Sequence, residues 1–165
     1  MIVVSVIGII LAFAVLIFAA YKKISMFLAA VLAAAIVALF GAFTFVATCI
    51  LAVSQSNAKK VLAYSTIANL GLIIACVGIN TAASMMAATT IIIYHSVSKG
   101  LLFMCVGAIE QRIGSRDIED MRGLYGIMPR TAIITVIGIF TMMLPPFGML
   151  IGKWMAIEAI ARATQ

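Results

Sequence analysis

Acidic residues are nearly missing from this sequence: five Asp or Glu stand against eleven Lys or Arg in 165 residues, and none precedes Glu110. Charged side chains make up 10% of the chain and hydrophobic ones 65%, with a mean hydropathy of +1.27. A soluble domain is about 25% charged and about 45–50% apolar, so a soluble globular enzyme and a disordered chain are both excluded. Metal chemistry is poorly provided for. The three cysteines, Cys49, Cys76 and Cys105, each stand alone in an apolar run, with no Cys-x-x-Cys and no neighbouring histidine. They read as small packing residues, so no metal, iron–sulfur cluster or other cofactor is expected in this chain. The net charge of +6 does not point to nucleic acid, because the basic residues are scattered between hydrophobic stretches without an aromatic stripe.

What the sequence has instead is long uncharged runs, over residues 1–21, 24–58, 61–98, 100–109 and 131–152. A bilayer core of about 30 Å takes roughly 20 helical residues. The expected fold is therefore all-α, a polytopic transmembrane helix bundle of five to six hydrophobic segments in a single membrane domain over residues 1–165. Ile2–Ala20 reads as a retained span rather than a signal peptide, since no basic residue precedes it and Tyr21-Lys22-Lys23 is no cleavage site. Met26–Val53 is about 42 Å long as one helix, more than one crossing requires. It is either a tilted, projecting helix or two short crossings. Val61–Ile79 and Met85–Ile109 follow, joined by a turn at Gly78-Ile79-Asn80-Thr81. Glu110–Arg130 is the hydrophilic loop, with four of the five acids, read as solvated or docked on neighbouring subunits. Thr131–Leu144 and Met149–Ala163 are parted by Pro145-Pro146-Phe147-Gly148. Two adjacent prolines remove two amide donors and clash with the preceding turn, so this helix must break.

Topology follows from the basic residues. Lys59, Lys60, Arg112, Arg116 and Arg122 lie in two loops separated by two spans, so loops 54–60 and 111–128 are expected on one face, the cytoplasmic one. Lys22 and Lys23 fall on the opposite face if residues 26–53 cross once. Two crossings there would remove the conflict.

Lys99 stands out. It is the one charge between Lys60 and Glu110 and lies deep in its span, where a lysine costs about 2.5–3.5 kcal/mol on insertion scales. His95 is four residues earlier, on the same helical face. Two nitrogen bases one turn apart suit a proton relay; the competing reading is a lysine that snorkels or caps a carbonyl and a histidine that is a satisfied packing residue. Lys153, beyond the break, either belongs to such a path or marks a span end reaching the headgroups. Glu158 is a partner for it or an interfacial acid, and Tyr94 and Ser98 are candidate supporting groups. Broken helices at membrane depth persist where protein or water satisfies the freed backbone groups, which makes Pro145, Pro146 and Gly148 functional candidates.

These residues carry a family resemblance. The run from Ser54 to Gly71, with Lys59-Lys60-Val61-Leu62-Ala63-Tyr64-Ser65-Thr66 at its centre, resembles the antiporter-like proton-translocating subunits of respiratory complex I and their relatives. His95-Ser96-Val97-Ser98-Lys99-Gly100-Leu101-Leu102-Phe103 is similar to the family's His-x-x-x-Lys helix. Asp117-Ile118 through Met121-Arg122-Gly123-Leu124, then Met128-Pro129-Arg130-Thr131, resembles the loop that follows it. Pro145-Pro146-Phe147-Gly148 with Lys153 resembles the second discontinuous helix, and Gly152-Lys153-Trp154 is most like the large membrane subunit of Ech-type energy-converting nickel–iron hydrogenases. The resemblance covers residues 37–160, matching the second half of a longer family plan of inverted repeats; residues 1–36 match weakly.

It implies that Lys99 is the central lysine of a proton half-channel, His95 a connecting base and Lys153 the terminal exchanging residue. The function it implies first is a membrane subunit of a redox-driven pump for protons or Na+, with no catalytic redox site of its own. Its partners would be other membrane-arm subunits and peripheral redox subunits of a hydrogenase or NADH dehydrogenase-like complex in the inner membrane. The alternatives are a component of a stand-alone Mrp-type cation/proton antiporter and a non-conducting structural or assembly subunit.

Overall fold

The computed structural model describes residues 2–22, 26–143 and 148–163. In chain order these form α1 (Ile2–Tyr21), α2 (Met26–Val53), α3 (Ala58–Ile79), α4 (Ala82–Ile113), a 3-10 turn (Ile118–Met121), a short α5 (Leu124–Ile127), α6 (Pro129–Met143) and α7 (Gly148–Ala163). Among the described residues, four stretches are long and apolar enough to cross a membrane, Phe27–Val53, Ala58–Ile79, Ala82–Ile113 and Pro129–Ala163, and α1 adds a shorter apolar stretch at Val6–Phe18. The protein is an all-α membrane bundle.

The order of packing is nearly the order of the chain. Helix α1 lies on α2, α2 on α3 and α3 on α4; α6 and α7 both lie on α4, and α7 also reaches α3. The outward sides carry exposed Ile, Val, Phe and Met, as a lipid-facing surface requires. Met26–Val53 is one continuous helix, so the two short crossings that would have reconciled Lys22 with the other loop lysines are ruled out. At 28 residues it spans about 42 Å.

Between α2 and α3 the backbones themselves touch. A β-carbon placed on Gly41 would lie 2.5 Å from the Ala75 amide nitrogen, and one on Gly71 would lie 2.8 Å from the Gly41 carbonyl oxygen. Farther along, one on Gly78 would lie 2.5 Å from the Ala38 nitrogen. Small residues at helical spacing on both partners bring the axes close, which is how helices gain packing energy where lipid offers no hydrophobic drive. The hydroxyls buried here return to their own helix: Thr48 Oγ1 donates to Thr44 O at 2.6 Å and Thr44 Oγ1 to Phe40 O at 2.8 Å.

Helix α3 begins on Asn57, whose side chain accepts from Lys60 N at 3.2 Å. It ends on Asn80, held at φ 55°, and α4 starts at once through a capping box of Thr81 and Ser84. The tight turn forces α3 and α4 to run antiparallel. At the other end the loops on either side of the pair join: Ala58 N donates to Arg116 O at 3.0 Å and Ile118 N to Ser56 O at 2.9 Å, around an Asn57–Asp117 bridge. Glu110 ties the same corner, pairing with Lys59 and with Arg116 at 2.5 Å. Loops 54–60 and 111–128 therefore share one face, as their charges predicted, but Glu110 is an ion-paired clamp rather than a free solvated acid.

Candidate functional site

Helix α4 buries a stripe that includes Ser84, Ala87, Ala88, Ile91, His95, Ser98, Lys99, Leu102, Val106 and Ile109. Three- and four-residue spacing makes this one face. Most of it is apolar, and its first turns pack with Leu72, Ile73 and Cys76 of α3 and Met149 and Ala156 of α7 in the core. His95, Ser98 and Lys99 interrupt it. Lys99 is 5% exposed and His95 6%; neither snorkels to the surface.

The Lys99 ammonium crosses to α3. Its Nζ donates to Leu62 O at 3.2 Å and to Ser65 Oγ. Leu62 O also accepts from Ser65 Oγ at 3.0 Å and Thr66 Oγ1 at 2.9 Å, so one carbonyl gathers the polar groups of this turn. Asn69, one turn farther along α3, donates from Nδ2 to Ser65 O at 2.7 Å. Among the described residues no carboxylate pairs with Lys99. A buried ammonium held by neutral oxygens alone lacks the counter-charge that would fix its proton.

Ser98 turns the other way, to α6. Its hydroxyl lies 3.1 Å from that of Thr141, which also donates to Gly138 O at 2.6 Å. Thr141 was not among the residues singled out from the sequence, where a threonine in an apolar run carries no mark. Ser65, Thr66 and Asn69 were visible as a polar face on α3, but not as the seat of Lys99.

Helices α6 and α7 lie along α4 in the antiparallel sense. Gly138 faces Leu102, Gly148 faces the Tyr94 ring and Gly152 faces Ile91. Ala163 lines a surface groove with Asn80 and Phe27, at the end opposite the Glu110 clamp. The two helices thus complete one crossing between them. Pro145 and Pro146 lie outside the described residues, while Gly148 starts α7. Lys153 is partly buried and follows Gly152, the residue that packs on Ile91 of α4 one turn before His95. Glu158 pairs with Arg162 at 2.6 Å, not with Lys153. Tyr94 is substantially exposed and serves α7 through its ring. His95, Ser98 and Lys99 thus share the buried stripe of α4, Lys153 lies on the helix packed against α4, and Glu158 pairs within its own helix.

Among the described residues, neither His95 nitrogen has a hydrogen-bonding partner, and neither does Asn69 Oδ1. Buried polar atoms are normally satisfied, so these stand out from the apolar packing around them.

Comparison with known proteins identifies relatives of this chain. A Na(+)/H(+) antiporter subunit of Bacillus subtilis (strain 168) is 41% identical over 141 residues, covering 78% of this chain and 18% of the relative. The corresponding Na(+)/H(+) antiporter subunit of Alkalihalophilus pseudofirmus is 38% identical over 141 residues, covering 76% and 18%. That of Staphylococcus aureus (strain JH9) is 35% identical over 143 residues, covering 78% and 18%. The chain thus spans about a fifth of the length of these relatives. The model of the NADH:quinone oxidoreductase/Mrp antiporter transmembrane family matches residues 1–165, including the first 36, whose own resemblance is weak. With a bundle of apolar helices around a buried lysine and histidine and a family match along its full length, this chain belongs to the NADH:quinone oxidoreductase/Mrp antiporter transmembrane family.

Proposed function

We propose that this chain supplies a proton relay for cation/proton exchange, Na+ against H+, within a multi-subunit membrane complex. Lys99 is the central proton carrier, His95 the connecting base and Lys153 the exchanging group on the second half of the broken crossing. The observation that carries the reading is the Lys99 ammonium, 5% exposed and bound by Leu62 O and Ser65 Oγ without a carboxylate. A permanent ion pair would trap the proton, whereas neutral acceptors let it leave. The choice of Na+ rests on the relatives, which are named as Na(+)/H(+) antiporter subunits. That reverses the order reached from sequence, where redox-driven pumping stood first. Redox coupling, with hydrogenase or NADH-oxidising partners, is the second reading and rests on the Ech-like Gly152-Lys153-Trp154 ending.

The test uses the assembled complex in everted vesicles. A pH gradient is imposed without any electron donor, Na+ is added, and collapse of the gradient is followed by a fluorescent amine. Exchange that proceeds without reductant and is lost in Lys99→Ala is the expected result. Ion movement that appears only with a reductant would favour the redox-coupled reading, and full exchange in Lys99→Ala would remove the relay. By the positive-inside rule, the Glu110 clamp lies in the cytoplasm of the inner-membrane protein. An impermeant maleimide should then reach Ser115→Cys in everted vesicles and not in intact cells.

A further inference from the structure

Two hydroxyls meet where α4 passes the end of α6. Ser98 falls at the middle of α4 (Ala82–Ile113) and is 6% exposed. Its Oγ lies 3.1 Å from Oγ1 of Thr141, which is partly buried in the last turn of α6 (Pro129–Met143). A hydroxyl has one hydrogen and two lone pairs, and the Thr141 hydrogen goes to Gly138 O at 2.6 Å. Its lone pairs are left for the space it shares with Ser98. The same turn of α6 carries carbonyls deprived of their helical donors. The amides that would bond Thr141 O and Met142 O belong to residues 145 and 146, both proline, and proline has no N–H. These carbonyls form the negative end of the α6 dipole. Interrupted helices in membrane transporters meet cations with such ends, near mid-membrane.

We propose that Ser98 Oγ and Thr141 Oγ1, with the carbonyl end of α6, form a binding site for the transported Na+. Hard cations take oxygen ligands. Ca2+, an ion of similar size, holds them at about 2.3–2.6 Å, so two ligands on neighbouring corners of the shell stand roughly 3–3.7 Å apart. The two hydroxyl oxygens meet that spacing. No covalent bond changes: Na+ exchanges part of its water shell for protein oxygens, as ions do in a selectivity filter. The proposal rests on the Na+/H+ exchange reading and adds to it a place for the cation. Lys99 follows Ser98 in the chain but turns to Leu62 and Ser65 of α3, while Ser98 turns to α6. Adjacent residues of one helix thus serve the two ions, on different sides of it.

The test measures 22Na+ held at equilibrium by the solubilised complex, without a gradient, and in parallel the Na+ dependence of exchange in everted vesicles. Thr141→Val keeps the shape and removes the hydroxyl; Ser98→Ala does the same for its partner. Each should raise the Na+ concentration for half-maximal binding by at least about tenfold, the scale for removing a group that supports a bound metal. Half-saturation of exchange should rise in step, with the full rate regained at high Na+. Thr141→Ser, which retains the hydroxyl, should bind as the unmodified protein does. The proposal is overturned if Thr141→Val binds Na+ with unchanged half-saturation, or if its maximal rate falls while half-saturation stays, the mark of a packing role. Binding is read without transport, so the two readings fail separately. Weakened binding in Thr141→Val, in a complex that exchanges nothing without reductant, keeps the site and removes the exchange reading. Exchange with unaltered binding does the reverse.

Discussion

Helix α3 shows two unlike faces. Toward α2 it presents Gly71, Ala75 and Gly78 to Gly41, Ala38 and Ala34, backbone against backbone, and the nearby threonine hydroxyls close on their own helix. Toward α4 it presents Leu62 O, Ser65 and Asn69 to Lys99 and His95, with acceptors and nitrogens still open. One face closes its polar groups on its own helix, and the other leaves buried polar atoms open. The dry face holds α3 in place at low polar cost, and the polar face uses that fixed position to hold a charge where lipid would not tolerate one.

Substitutions on the two faces should separate stability from transport. The largest effect on transport is expected for Lys99→Ala: exchange falls on the order of 100-fold, the scale for losing a proton-transferring group, while the detergent-solubilised protein melts near its usual temperature. A melt that fell with it would mean that Lys99 serves packing instead. On the dry face, Gly71→Leu should do the reverse. Its side chain would enter the α2 backbone, an overpacking cost of about 1–3 kcal/mol or more, read as a lower melting midpoint.

Glu110→Gln removes the charge that joins Lys59 to Arg116. It should lower the midpoint less than Gly71→Leu does, and added salt should shrink the difference, because the partners are solvent-exposed. Smallest is Glu158→Gln, which breaks an exposed pair with Arg162 worth about 0.3–0.5 kcal/mol. Exchange should be unaltered by it, and a marked loss would place Glu158 in the path after all. Gly100→Ala serves as the control on α4: nothing lies within 4 Å of its added methyl, and alanine is the better helix former by up to about 1 kcal/mol.

Much of the architecture was legible because hydropathy and helical period are local. The spans, the turn at Asn80 and Thr81, and the shared face of loops 54–60 and 111–128 all follow from residues close in sequence. Lys99 and His95 were legible for the same reason, as rare groups one turn apart in an apolar run. Other points were open in the sequence, and the fold chooses among their alternatives. Residues 26–53 form one helix, since a long apolar run carries no mark of how often it crosses. Glu110 is clamped by Lys59, 51 positions earlier in the numbering, and by Arg116. Glu158 takes Arg162 one turn away in place of Lys153.

The sequence by itself determined that the chain lives in a membrane and that a lysine and a histidine lie inside one of its spans at a cost, because the cost of burying charge is a property of residue type and depth. Only the tertiary structure decided what meets them. Lys99 finds Leu62 O and Ser65 Oγ at separations of 37 and 34 residues, and Ser98 finds Thr141 at 43. Such pairs depend on the register of one helix against another, which is set by the close α2–α3 packing, the turn at Asn80 and the clamp at Glu110 acting together.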